Sequence, residues 1–287
     1  MTRTLFCFGL GYVAERLAQR LMEEGWRVAG TCRTPEKQAA LRGRGIEAHL
    51  FDIGRPLEAA GAALAGVTHI LASIPPKEGT DPVLGAHDTD LRAMQGLEWV
   101  GYLSTTGVYG EKDGGWVDEA SPLNPSTPNG KARVAAEAQW RAAGLPLHIF
   151  RLSGIYGPGR SAIEQVRAGT ARRIVKPGQV FNRIHADDIG TVLKASMARP
   201  DPGAIYNLAD DEPASSADVV AHAAQLLGVA PPPEIPVEQA DLSPMGQAFY
   251  SENKRVSNQR LKSDLGVALA YPTYREGLAA IMRERPA

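Results

Sequence analysis

Short apolar runs alternate along the first half of the chain with longer stretches whose apolar positions recur at helical spacing. The first run, Thr4–Phe8, is closed by Gly9-Leu10-Gly11, and Val13, Ala14, Leu17, Ala18 and Leu21 then line one helix face up to Gly25. The same reading predicts strands over Trp26–Cys32, Ile46–Phe51, Val67–Ile74, Leu97–Ser104 and Leu147–Leu152. Helical patterns fill the gaps around Pro35–Arg42, Leu57–Leu64, Asp81–Met94 and Gly130–Ala143. Strands separated by helices of this length require right-handed crossovers and a mostly parallel sheet. The expected fold is α/β, with the sheet doubly wound.

Beyond Arg151 the texture changes. Gly154, Gly157, Pro158 and Gly159 make a loop, followed by a polar helix and the segment Phe181–Ile189. Ile205–Ala209 reads as a further strand, and Ser215-x-x-Asp218 as a capping box opening a helix to Leu227. Pro231-Pro232-Pro233 precedes two predicted closing helices, the last opening with Thr273-x-x-Glu276. A division into residues 1–150 and a smaller region 151–287 follows, with room for part of the second to return to the first sheet.

The 287 residues suffice for two domains and a large core, with no need of a disulfide or metal staple. A hydrophobic share of 44% and a charged share of 22% are ordinary globular values. Lys plus Arg number 31 against 32 Asp plus Glu, which argues against a nucleic-acid or membrane-surface protein. Cys7 and Cys32 both fall in predicted strands, so buried thiols in a reducing compartment are expected. The apolar stretch Leu5–Ala14 is interrupted by two glycines and runs into Glu15-Arg16, unlike a signal peptide. No apolar run reaches about 18 residues, and a cytoplasmic protein is the expectation. His49, His69, His87, His148, His185 and His222 show no ligand spacing, so no metal site is expected.

Gly9-Leu10-Gly11-Tyr12-Val13-Ala14 is the G-x-G-x-x-A form of the dinucleotide fingerprint, set between a strand and a helix. Glycines let the backbone approach a pyrophosphate, and the N–H groups at the helix start, around Tyr12 and Val13, stabilise its charge. An NAD site usually carries an acid about 20 residues further on, for the ribose 2′-hydroxyl. Here Gly30-Thr31-Cys32-Arg33-Thr34-Pro35 has none and offers Arg33, with Lys37 one turn later. Cations suit a 2′-phosphate, so NADP is favoured over NAD. Asp52, at the end of the third strand with Ile53, is placed either to accept from an adenine amino group or to cap the next helix. Ala72-Ser73-Ile74 ends the fourth strand on small and apolar residues, suited to a backbone passing close to a cofactor.

The glycine turn, Leu103-Ser104-Thr105-Thr106-Gly107-Val108-Tyr109-Gly110, and Arg151-Leu152-Ser153-Gly154-Ile155-Tyr156-Gly157-Pro158-Gly159 together resemble the extended short-chain dehydrogenase/reductase superfamily. Ile184-His185-Ala186-Asp187-Asp188-Ile189 and Tyr206-Asn207-Leu208-Ala209-Asp210 extend the likeness, which is nearest to the NAD-dependent epimerase/dehydratase proteins. The resemblance implies an NAD(P)-binding Rossmann domain over 1–150 and a small α/β substrate domain after it. It also implies a small-molecule substrate and a homodimer through helices flanking the sheet.

The chemistry of that family rests on a Tyr-x-x-x-Lys pair with a Ser or Thr at the end of the fifth strand. A lysine cation lowers the tyrosine pKa, and the tyrosine moves a proton to or from the substrate oxygen. In this chain Asn129 stands at the tyrosine position, Arg133 at the lysine position, and Thr105 at the Ser/Thr position. An amide does not titrate, and arginine serves as a cation rather than a base. The chain therefore resembles atypical members of the superfamily. The resemblance places Tyr109 toward substrate and Tyr156, Arg160 and His185 along the cleft, each with a plain packing or loop role as the alternative. Two readings follow: an oxidoreductase or epimerase/dehydratase-like enzyme on a small molecule such as a sugar nucleotide, with its acid/base group moved, or an inactive NADP(H)-binding sensor.

Overall fold

A computed structural model describes residues 3–77 and 79–283. The chain runs through β1 (Thr4–Phe8), α1 (Tyr12–Glu23), β2 (Arg27–Cys32), α2 (Pro35–Gly43), β3 (Glu47–Leu50), α3 (Ala60–Ala63), β4 (His69–Ala72), α4 (Pro82–Ala93) and β5 (Trp99–Thr105). After a 3₁₀ turn at Thr106–Tyr109 come β6 (Trp116–Val117), α5 (Pro128–Ala142), β7 (Leu147–Leu152), β8 (Gly154–Tyr156), α6 (Ala162–Arg167), β9 (Arg173–Val175), β10 (Arg183–His185) and α7 (Ala186–Ala198). It continues with β11 (Ile205–Leu208), α8 (Ser216–Leu226), β12 (Glu234–Pro236), α9 (Pro244–Tyr250), β13 (Arg255–Val256), α10 (Gln259–Leu265) and α11 (Tyr274–Arg283).

Seven strands form one parallel sheet in the order β11-β7-β5-β4-β1-β2-β3. The chain reverses direction across the sheet between β1 and β4, the switch point at which doubly wound folds bind ligands. Register puts Cys7 opposite Gly30 and Leu71, and Ala72 opposite Tyr102. The carboxyl ends of β1, β2, β4 and β5 thus share one edge. Leu5, Phe6, Cys7 and Phe8 are fully buried, because a central parallel strand is covered on both faces. Phe6, Phe8, Ile70, Val100, Tyr102 and Trp140 belong to the apolar core beneath that edge.

The chain divides into two compact units that interleave in sequence. The first holds residues up to Thr105, Pro128–Arg151 and Val192–Tyr206; the second holds Thr106–Thr127, Leu152–Thr191 and the chain from Asn207 on. In the second unit Tyr156, Ile163, Val219, Tyr274 and Leu278 form a separate core, with α6, α8 and α11 around it.

Most predicted elements appear with trimmed ends. The helix expected over Leu57–Leu64 shrinks to α3, because Ala59 enters it in a left-handed conformation with φ 50°. The one over Asp81–Met94 forms as α4 but bends at His87, where φ is −134°. There the imidazole Nε2 accepts the Leu57 N–H at 2.9 Å. Three helices rather than two follow the triple proline, since Pro244–Tyr250 is helical as well. The strands β6, β8, β9, β10, β12 and β13 have two or three residues each, too few to show a periodicity. Among the described residues no helix is long and apolar enough to cross a membrane.

Candidate active site

The turn after β1 is held by its neighbours on either side. The Gly9 N–H donates to Thr31 Oγ1 at 2.9 Å and the Leu10 N–H to the Thr31 carbonyl at 2.8 Å. From β4, Ser73 Oγ donates to the Gly9 carbonyl at 2.6 Å, and its N–H to the Phe8 carbonyl at 3.0 Å. Gly9 has φ +93°, and a Cβ there would lie 2.8 Å from both Ile74 Cγ1 and Ser73 Oγ. Only glycine fits such a position. Gly11 differs: a Cβ on it would meet nothing within 4 Å, so space is open where helix α1 begins. The helices α2 and α4 are capped by the side chains of Thr34 and Asp81, while α1 has no side-chain cap. Its first N–H groups and its dipole are therefore set for an anion. Ala72 is buried at the end of β4, with Ser73 and Ile74 half-buried beyond it.

At the end of β2, Arg33 is exposed. Its carbonyl accepts from Arg55 Nη2 at 2.6 Å, which sets a second exposed guanidinium at this edge. Lys37, expected to join Arg33, is instead drawn to Glu15 on α1, with Nζ 2.5 Å from Oε1. Arg44 takes the other oxygen of that carboxylate at 2.9 Å. Neither the Arg55 contact nor the engagement of Lys37 is legible in the local sequence, because the partners lie 22 residues away in each case. Asp52 bends back on its own turn, its Oδ1 accepting the Ile53 N–H at 2.8 Å. Ile53 is 54% exposed, an apolar side chain open to a flat ring. Cys7 and Cys32 are buried free thiols. Burial pushes Cys7 up to about 12 and raises Cys32 as well.

The third part of the site is where α5 meets β5. Thr105 is half-buried at the strand's last position, and Asn129 is exposed in the first turn of the helix. Arg133 lies against the strand, its Nη1 donating to the Leu103 carbonyl at 2.5 Å and to the Tyr102 hydroxyl at 3.2 Å. Burial pushes the Tyr102 phenol up to about 12 against the opposing pull of Arg133, so it is a hydrogen-bonding group at neutral pH. One turn on, Glu137 is fully buried and bound by three elements. Ser104 Oγ donates to it at 2.6 Å, Arg151 Nε and Nη2 at 3.1 and 2.9 Å, and Arg141 Nη2 at 2.9 Å. Burial raises this carboxyl, but Arg151, Ser104 and Arg141 outweigh it and hold the group below the usual range. Arg133 and Glu137 are four residues apart on one face, so together they dock α5 on β5 and β7.

The remaining expected site residues lie in the second unit. Tyr109 is fully buried, and its hydroxyl donates to Asn207 Oδ1 at 2.7 Å. This burial fits the packing role given as the alternative to facing substrate. His185 is 1% exposed, with Nδ1 accepting the Asp187 N–H at 3.2 Å. Its ring lies between Tyr156 and Tyr271, with centroids at 5.2 and 4.0 Å. It too is an interior residue rather than one lining a cleft. Tyr156 and Arg160 line a cavity of about 480 Å³ together with Arg183. The Tyr156 phenol is pushed far up by burial and by the nearby Asp210 and Asp188 carboxylates, so it does not ionise near neutrality.

A model of the NAD dependent epimerase/dehydratase family matches residues 9–209. A solved structure described as a functionally unknown conserved protein from Silicibacter pomeroyi DSS is 53% identical, covers 98% of each chain and superposes with a TM-score of 0.90. Protein YeeZ of Escherichia coli K12 is 27% identical over 276 residues, which make up 92% of this chain and 94% of that one. The UDP-glucuronic acid 4-epimerase from Bacillus cereus, solved with NAD, is 18% identical with a TM-score of 0.76 over 96% of each chain, a likeness of fold.

Proposed function

Because the chain belongs to the NAD dependent epimerase/dehydratase family, we propose that it binds NADP(H) and acts as an oxidoreductase or epimerase-like enzyme. Its substrate is a small hydroxyl- or carbonyl-bearing molecule, with sugar nucleotides the first class to test. The observation that carries the reading is the turn at Gly9–Gly11: a left-handed glycine locked between Thr31 and Ser73, followed by open space and an uncapped helix. The N–H groups at Tyr12 and Val13 hold the pyrophosphate. Arg33 and Arg55 hold a 2′-phosphate, and Asp52 with Ile53 takes the adenine. Ala72, Ser73 and Ile74 keep the strand end low enough for a dinucleotide to cross it.

Hydride transfer at the nicotinamide ring is the chemistry such a cofactor supplies when bound. Arg133 orients the adjoining ribose through Nε and Nη2, which make no hydrogen bond with the described residues. Thr105 holds the substrate oxygen and, through water, its proton. A second reading rests on Asn129, whose exposed amide cannot give or take a proton. On that reading the protein senses NADP(H) without turnover. Fluorescence titration with NADPH and NADH, followed by incubation of a panel of sugar nucleotides with NADPH and with NADP+, separates the two when both cofactor turnover and substrate conversion (by NMR) are read. NADPH binding with net oxidation, or with substrate conversion at constant cofactor, supports the enzyme, and binding with neither on any substrate supports the sensor. A Kd for NADPH no tighter than for NADH overturns the phosphate preference.

A further inference from the structure

Arg183, on β10, is held from one side only. Its Nη1 donates to the Phe181 carbonyl at 3.0 Å and the Ala214 carbonyl at 2.9 Å. Nε and Nη2 make no hydrogen bond with the described residues, and the side chain lines the cavity of about 480 Å³ in the second unit. These two nitrogens are the edge of a guanidinium that presents parallel N–H groups, the geometry that receives a carboxylate bidentately. The volume falls within the range of small-molecule sites.

No carboxylate among the described residues pairs with this cation, since none of their oxygens lies within 4.0 Å of Arg183. Glu164 is occupied by Ser161 Oγ and the Gly159 N–H, contacts that outweigh its burial and hold it below the usual range. Asp210 is nearby and burial raises its carboxyl, but neither of its oxygens comes within 4.0 Å of the guanidinium. Arg160 adds a second cation to the lining, while Val219, Val220 and Leu278 supply an apolar wall. A half-buried cation with no carboxylate at ion-pair distance is suited to an anion that brings its own apolar body.

We infer that this cavity binds a small organic monocarboxylate, its carboxylate on Nε and Nη2 of Arg183 and its body against Val219, Val220 and Leu278. A phosphomonoester would bring a second negative charge into a lining that includes Glu164, and is the competing anion in the test. The site needs no dinucleotide, so its test is independent of the proposed cofactor.

The test uses the full chain without cofactor and isothermal titration with benzoate, its neutral isostere benzamide, and inorganic phosphate. Benzoate is expected to bind saturably at one site, with benzamide weaker by about tenfold or more. Arg183→Met is expected to abolish benzoate binding. Ala162→Phe fills the cavity from α6 while leaving Arg183 in place, and is expected to abolish binding too, with circular dichroism showing the fold intact. Benzoate that fails to bind, binds no better than benzamide, or still binds the folded Ala162→Phe variant overturns the inference. Phosphate binding more tightly than benzoate overturns the choice of a carboxylate.

Discussion

The glycine turn after β1 and the start of α5 both serve the carboxyl edge of one sheet, yet they are built in opposite ways. At the turn, the proposed binding rests on backbone: a φ of +93° at Gly9, open space at Gly11, and a helix start without a side-chain cap. Nothing there has to titrate. At the start of α5, the proposal concerns two side-chain ends, Asn129 and Arg133, which the resemblance sets at the family's tyrosine and lysine positions. The same helix is nevertheless docked firmly, through Arg133 on Leu103 and through Glu137 on Ser104 and Arg151. The comparison teaches that the docking of a helix, here through Arg133 and Glu137, is separate from whether its exposed first turn at Asn129 carries chemistry.

The largest expected effect tests the docking. Glu137→Gln removes one partner of a buried, multiply bonded ion pair and should cost about 3–5 kcal/mol of stability in urea unfolding. Because its folded pKa is depressed, the stability Glu137 contributes is present above its unfolded value of 4.5 and lost as pH falls through the folded value. The variant's stability should therefore fall less steeply than wild type below pH 4.5.

Next comes Gly9→Ala. A left-handed alanine with Cβ contacts at 2.8 Å should cost about 1–3 kcal/mol of stability and displace the turn. Its Kd for NADPH is expected to weaken by about 100-fold. A variant that binds NADPH as tightly as wild type would remove the backbone from the account of binding.

Arg33→Ala should weaken NADPH by about tenfold and leave NADH within about twofold, read from paired titrations. Arg55→Ala should do the same more weakly, whereas Lys37→Ala should change neither, since Lys37 is engaged by Glu15. The smallest effect sharpens the contrast most. Asn129→Ala should leave the NADPH Kd within about twofold and stability within about 0.5 kcal/mol, because the residue is exposed. A drop in turnover of about 10² or more on an identified substrate would restore chemistry to the start of α5.

The alternation of strands and helices and the fingerprint at Gly9–Ala14 were legible in the chain, because both are local patterns read over a few residues. The short strands of the second unit were not, since two or three residues carry no period. Nor was the interleaving of the units, in which Thr106–Thr127 clusters with residues beyond Asn207.

Site residues divide along the same line. That Asn129 cannot titrate follows from residue type alone, and so does the lack of an acid in Gly30–Pro35. Side-chain availability does not. Arg33 stays exposed while Lys37 is captured by Glu15 from another helix, and Arg55 arrives from beyond β3. Tyr109 and His185 have the residue types of catalytic groups, but packing buries the first on Asn207 and the second between two tyrosines. Sequence determines which groups exist and how the local backbone runs. Only tertiary contacts, made across long stretches of chain, decide which of those groups remain free to meet a ligand.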